Sequence, residues 1–147
     1  MDFDFIIYTD GACLGNPGPG GWAAIIFDKK NKKNSIKGNK VNTTNNQMEL
    51  IAPIEALKQI KNKSKIKIYT DSKYLIDGIN IWIKTWKLNN WKTSAKKEVK
   101  NDQLWKELDS LSSGHSINWQ WVRGHSGNIY NEEVDDLARQ EAYLLKI

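Results

Sequence analysis

The chain has 147 residues, enough for one domain and too few for two ordinary ones, so a single domain over 1–147 is expected. Its 39% hydrophobic content and seven tryptophans exclude a disordered or collagen-like chain, and one cysteine, Cys13, excludes a disulfide framework and fits a reducing, cytoplasmic setting. The net charge of +5 is uneven, because residues 28–40 and 84–100 each carry +5 and the remainder carries −5. Such a basic surface suits a polyanion partner. Twenty of the 22 basic residues are lysine, however, which AT-rich coding alone would also produce. No apolar run approaches the ~20 residues of a membrane span, and residues 1–4 lack the basic start of a secretory signal.

Residues 3–10 (FDFIIYTD) are apolar on both alternating faces, as in a central strand. A glycine- and proline-rich turn over 15–21 precedes a second strand from Trp22 to Phe27. The Lys/Asn stretch 29–34 reads as a hairpin tip, with a third strand near 35–41. From Thr44 to Ile60 the period becomes helical, with Pro53 inside, where a lost hydrogen bond predicts a kink. Residues 66–71 (IKIYTD) form a further strand, and Leu75, Ile79, Trp82, Ile83 and Trp86 then recur at helical spacing. Leu104, Trp105, Leu108 and Leu111 mark another helix, 117–122 alternate as a strand, and 131–145 close the chain as a helix. The pattern is that of a mixed α/β domain.

Two strands end alike, Tyr8-Thr9-Asp10 and Tyr69-Thr70-Asp71. If they lie side by side and parallel, the two carboxylates are neighbours, and such a pair needs a cation or a shared proton. Oxygen-only ligation suits Mg²⁺ or Mn²⁺, and the cysteine and two histidines have no zinc-site spacing. Each aspartate alone could equally cap a strand-end turn. Glu49, three residues after Asn46, could belong to a helix capping box, and Asp135, among Glu132, Glu133 and Asp136, could be a helix-dipole partner. His125, in Arg123-Gly124-His125-Ser126-Gly127, reads as an acid/base group or an exposed loop residue.

Four blocks together resemble the type 1 ribonuclease H family, bacterial ribonuclease HI in particular: YTDGACLGNPGPGGWAAI (8–25), TTNNQMELIAPIEAL (43–57), IYTDSKYLIDGINIWIKTWKLNNWKT (68–93) and WVRGHSGNIYNEEVDDLAR (121–139). The resemblance implies a ribonuclease H-like fold, a five-stranded mixed sheet of order 3-2-1-4-5 with helices on both faces. It implies a metal-binding tetrad, Asp10, Glu49, Asp71 and Asp135, with His125 assisting. Asp135 is preferred to Asp136 because it is the tenth residue after His125. The implied reaction is hydrolysis of the RNA strand of an RNA–DNA hybrid with two Mg²⁺ ions, Mn²⁺ substituting, to leave 5′-phosphate and 3′-hydroxyl ends.

For the substrate, the resemblance points to Gly11, Asn16, Asn45, Asn46 and Lys73 near the RNA strand, and to Thr44 with Asn16 at a DNA phosphate. Residues 82–100 resemble a basic protrusion for the DNA strand, through Trp82, Trp86, Lys87, Trp91 and Lys92. Trp82 and Trp86 also lie on the helical stripe, which predicts one face packed and one edge open. Lys73 stands where many relatives have glutamine, and Asn42 and Gln47 where arginine is frequent. The partner is then a hybrid duplex, with no membrane and no obligate protein partner, and the chain is expected to act as a monomer. The competing readings are a non-catalytic nucleic-acid-binding module and another nuclease or integrase of the same fold.

Overall fold

The structure, a computed structural model, describes residues 2–124 and 127–146. Three strands, β1 (Phe5–Cys13), β2 (Gly18–Asp28) and β3 (Lys33–Thr43), form an antiparallel meander. Helix α1 (Asn45–Lys58) leads to β4 (Lys65–Thr70), which pairs parallel to β1. Helix α2 (Lys73–Asp77), a π-helical turn (Gly78–Trp82) and α3 (Ile83–Leu88) run on consecutively, followed by α4 (Asp102–Ser113). Strand β5 (Ser116–Trp121) then pairs parallel to β4, and α5 (Ile129–Tyr143) closes the order. The sheet order is β3-β2-β1-β4-β5, as the resemblance implied.

Helices cover both faces because the strands are apolar on both. On one side Ile7, Ile66 and Ile68 pack with Leu50, Ile54 and Leu57 of α1 and with Trp105 and Leu108 of α4. On the other side Ala23 and Ile25 meet Val134 and Ala138 of α5. Burial of each large side chain contributes about 1.5–3 kcal/mol. Among the described residues no helix is long and apolar enough to cross a membrane.

Several local expectations are corrected. The first strand does not stop at Asp10, because Gly11, Ala12 and Cys13 go on pairing with Trp22, Gly21 and Gly20 of β2. Its parallel pairing with β4 does stop, at Thr9 opposite Thr70. Asp10 is therefore mid-strand, at the place where β1 has lost its parallel neighbour. The second and third strands are longer than their apolar cores, since backbone pairing extends into the glycine turn and the lysine hairpin.

Pro53 is buried and does not interrupt α1; it removes one intrahelical donor without ending the helix. Thr44, and not an Asn46–Glu49 box, caps α1, its side chain accepting from the Gln47 N–H at 3.2 Å. The single helix expected over 75–86 contains the π turn, which begins at Gly78.

Gly78 lies against the indole of Trp105, itself fully buried, and a Cβ at position 78 would stand 2.0 Å from the ring. Gly78→Ala is therefore expected to destabilise the protein by about 1–3 kcal/mol through overpacking. At ~2–4 °C per kcal/mol for a domain of this size, a calorimetric melt should show the loss directly.

Candidate active site

The place where β1 outruns β4 gathers side chains from three parts of the chain. β1 supplies Asp10, the residue after β4 and Thr70 is Asp71, and α1 lies across β1 with Glu49 turned to the sheet. One carboxylate oxygen from each of Asp10, Glu49 and Asp71 lies within 4.8 Å of the other two. Asp10 and Glu49 are only 4% and 5% exposed. The Gly11 N–H donates to Asp10 Oδ1 at 2.8 Å and also to Glu49 Oε1. Only glycine fits there, since a Cβ on residue 11 would stand 2.5 Å from the Glu49 backbone nitrogen.

Burial, then the charge of Glu49 and its hydrogen bond, push the Asp10 carboxyl up to about 12, with Asp71 adding to the rise. Burial likewise pushes Glu49 up to about 7, opposed by its hydrogen bonds to Asp10, Gly11 and Ser72. Asp10 and Glu49 thus hold at least one proton between them near neutrality. The alternative to that proton is a cation. Three hard carboxylate oxygens, with no sulfur or imidazole among the described members of the cluster, suit a hard divalent metal.

Asp135 opens into the same cleft of about 380 Å³, which Asn45, Asn46, Lys73 and Tyr74 also line. It stands outside the three-oxygen cluster, with its Oδ2 at 3.2 Å from Arg139 Nη2. Its neighbour Asp136 also binds Arg139, at 2.6 Å, but its side chain is 59% exposed against 17% for Asp135. Helical geometry turns Asp135 inward and Asp136 to solvent. A cavity of about 430 Å³ between the β2–β3 hairpin and the end of α1 has Asp28 as its carboxylate and no such cluster. His125 lies outside the described residues.

The other expected residues fall in two groups. Asn16 Oδ1 accepts from the Asn45 N–H at 3.1 Å, which brings Asn16, Thr44 and Asn45 together at the start of α1. Trp82, Trp86 and Trp91 form a chain with centroid separations of 5.9 and 6.2 Å, and Trp86 continues to Trp105 at 5.5 Å. All three are half-buried, while Lys87 and Lys92 are exposed and Lys87 Nζ lies 3.2 Å from Asp109. Trp86 and Trp91 therefore anchor the basic segment to the core, Trp82 packs on Tyr74 and Trp86, and each keeps part of its ring open.

Some residues were not anticipated. Ser72 is buried, caps α2 by accepting from the Leu75 N–H at 3.1 Å, and hydrogen-bonds Glu49. Serine just before a helical run is an N-cap signal, so this one was legible. Gly124 packs so near Asp71 that a Cβ would lie 3.0 Å from Oδ2. A relay of side chains runs from Thr43 to Gln47 (2.7 Å), Gln47 to Asn101 (3.3 Å) and Asn101 to Tyr74 (3.2 Å), where the Trp105 indole N–H also donates (3.0 Å). No sequence period marks that relay.

This sheet order, with carboxylates clustered where β1 outruns β4, defines a class, and the chain belongs to the ribonuclease H family, whose "RNase H" profile matches residues 2–143. Its curated relatives include ribonuclease H of Ehrlichia canis (strain Jake), 56% identical over 92% of each chain. Ribonuclease H of Wolbachia pipientis wMel is 58% identical over 93% of this chain and 94% of its own. Among solved structures, LC9-RNase H1, a type 1 RNase H with the type 2 active-site motif, superposes with a TM-score of 0.87 at 30% identity. That match covers 97% of this chain and 73% of LC9-RNase H1.

Because the Asp10 and Glu49 carboxyls hold their protons more tightly folded than unfolded, their stabilising contribution is complete in acid. It is lost as pH rises from the ordinary values, 3.8 for Asp10 and 4.5 for Glu49, through about 7 and beyond. In chelator, Asp10→Asn should therefore melt higher than the parent, by ~1–3 kcal/mol, with a gap that widens from pH 5 to pH 8. Adding a divalent ion should raise the parent's melting temperature and close that gap.

Proposed function

We propose that this chain is an endonuclease that hydrolyses the RNA strand of RNA–DNA hybrids, leaving 5′-phosphate and 3′-hydroxyl ends. The observation that carries this reading is the convergence of the Asp10, Glu49 and Asp71 oxygens within 4.8 Å in a member of the ribonuclease H family. Asp10, Glu49, Asp71 and Asp135 would hold two Mg²⁺ ions, with Mn²⁺ as a substitute. Divalent ions so held supply an activated water and relieve charge on the leaving oxygen.

The protein's own part is binding, orientation and proton handling. Gly11 and Ser72 fix the carboxylates through their hydrogen bonds. Asn16, Asn45 and Asn46 present amide groups able to read the 2′-hydroxyl that distinguishes RNA from DNA, and Gly11 lets the backbone stay close to that strand. The helix start at Thr44, beside Asn16, offers donors to a DNA phosphate. The exposed lysines of residues 84–100, Lys87 and Lys92 among them, grip the DNA strand, with Trp82, Trp86 and Trp91 as the partly open rings beneath. His125 follows Gly124, which packs against Asp71, and assists proton transfer or product release. One chain carries both the cleft and the basic segment, so it works as a monomer.

A labelled RNA–DNA hybrid should be cut with Mg²⁺ or Mn²⁺ and left intact in chelator, and single-stranded RNA and duplex DNA should survive. Asp10→Asn should reduce turnover by at least about a hundredfold; cleavage by that variant at the parent's rate would overturn the assignment. With ~4 phosphate contacts, raising salt from 50 to 200 mM should weaken hybrid binding by on the order of 100-fold, which a titration at several salt concentrations would read.

A further inference from the structure

Lys73 and Trp121 meet at the lip of the carboxylate cleft. Lys73 opens α2, is exposed and lines that cleft. Its Nζ stands 4.5 Å from the centroid of the Trp121 ring. Trp121 is the last residue of β5, 42% exposed, and its indole N–H donates to the Asp71 carbonyl at 3.1 Å. The indole is thus tethered to the backbone of a clustered aspartate at its polar edge and faces an ammonium with its ring.

An untethered surface lysine loses rotamer freedom when a ligand fixes it, and that loss weakens the contact. The electron-rich face of an indole attracts an ammonium and narrows its range before the ligand arrives. A large, half-exposed tryptophan at a strand end, bound to the chain segment that carries Asp71, is placed to do this for Lys73.

We infer that Trp121 is a positioning residue for substrate: it pre-places the Lys73 ammonium at the cleft rim as a contact for a backbone phosphate of the RNA strand. The inference rests on the hybrid-cleavage reading above and adds to it a residue that carries no charge and acts through another side chain. Trp121 gives no carboxylate to the cluster, and Trp121→Phe, which loses the same hydrogen bond to Asp71 while keeping a ring, separates its effect on Lys73 from any effect on Asp71.

The test uses the whole chain, with a labelled RNA–DNA hybrid as the probe. Binding is titrated from 50 to 200 mM salt in an Asp10→Asn background, and KM and kcat are measured in the active protein. Trp121→Leu should bind about two- to fivefold more weakly and raise KM similarly, with kcat within about twofold of Trp121→Phe, which lacks the same indole N–H. Trp121→Phe keeps a ring face and should restore affinity. Lys73→Gln should reduce the salt slope by about 0.9, and adding Trp121→Leu to it should cost nothing further.

Independent, additive losses in the double variant, or a Trp121→Leu protein that binds like the parent, would overturn the inference and leave the cleavage reading standing. A parent that fails to bind hybrid at all overturns both. Far-UV circular dichroism checks that each variant is folded; should Trp121→Leu fail to fold, Trp121→Met, which also removes the ring face, takes its place, with weaker binding expected and parent-like binding overturning the inference.

Discussion

Repulsion among Asp10, Glu49 and Asp71, whose oxygens approach within 4.8 Å where β1 outruns β4, sets the terms for everything around them. Two unit charges about 4 Å apart oppose each other by ~4 kcal/mol at an effective dielectric near 20, and burial raises the cost. The surrounding structure holds the three groups together all the same. Gly11 has no side chain to keep α1 away from β1, and its N–H is shared between two carboxylates. Ser72 caps a helix and hydrogen-bonds Glu49 at once. A fold that maintains such crowding is prepared for a cation, and its pKa shifts express the same preparation in protons.

The charge distribution complements that cleft. The clustered carboxylates and Asp135 form an acidic floor, while residues 84–100 carry +5 on α3 and the loop that follows. A polyanion approaching this surface meets attraction from the flank and finds a gap in the floor that metal ions would neutralise. The half-buried tryptophans settle the tension between their apolar stripe and their basic neighbours: Trp86 and Trp91 pack on the core cluster through part of each ring, and their lysine neighbours stay in water. The same residues that hold the segment down leave it open to a ligand.

Much of this organisation was legible along the chain, and the reasons it was differ by element. The repeated Tyr-Thr-Asp endings marked β1 and β4 as equivalent strands, and their parallel register sets Tyr8 opposite Tyr69 and Thr9 opposite Thr70. The end of β1 was not legible, because Gly11, Ala12 and Cys13 are held by pairing with β2 and not by apolar character. Glu49 satisfied a local capping pattern, yet Thr44 took the cap and a tertiary contact with β1 took Glu49. Pro53 was legible as a residue inside the helix that removes one hydrogen bond, and α1 runs on through it. The Gln47–Asn101–Tyr74 relay joins residues from three segments and has no local signature.

The contacts that close the carboxylate cluster join segments far apart along the chain. Gly11 and Glu49, whose hydrogen bond seals one side, are separated by 38 positions, and Asp71 joins from the next strand along. No hairpin or helix pair of this chain can assemble the triad alone, so the ion-ready geometry exists only in the fully closed architecture. An ion bound there selects against every partly opened form that separates β1 from α1 or β4. A metal ion bound there would therefore guard the whole fold, shielding the chain from proteases that exploit local opening.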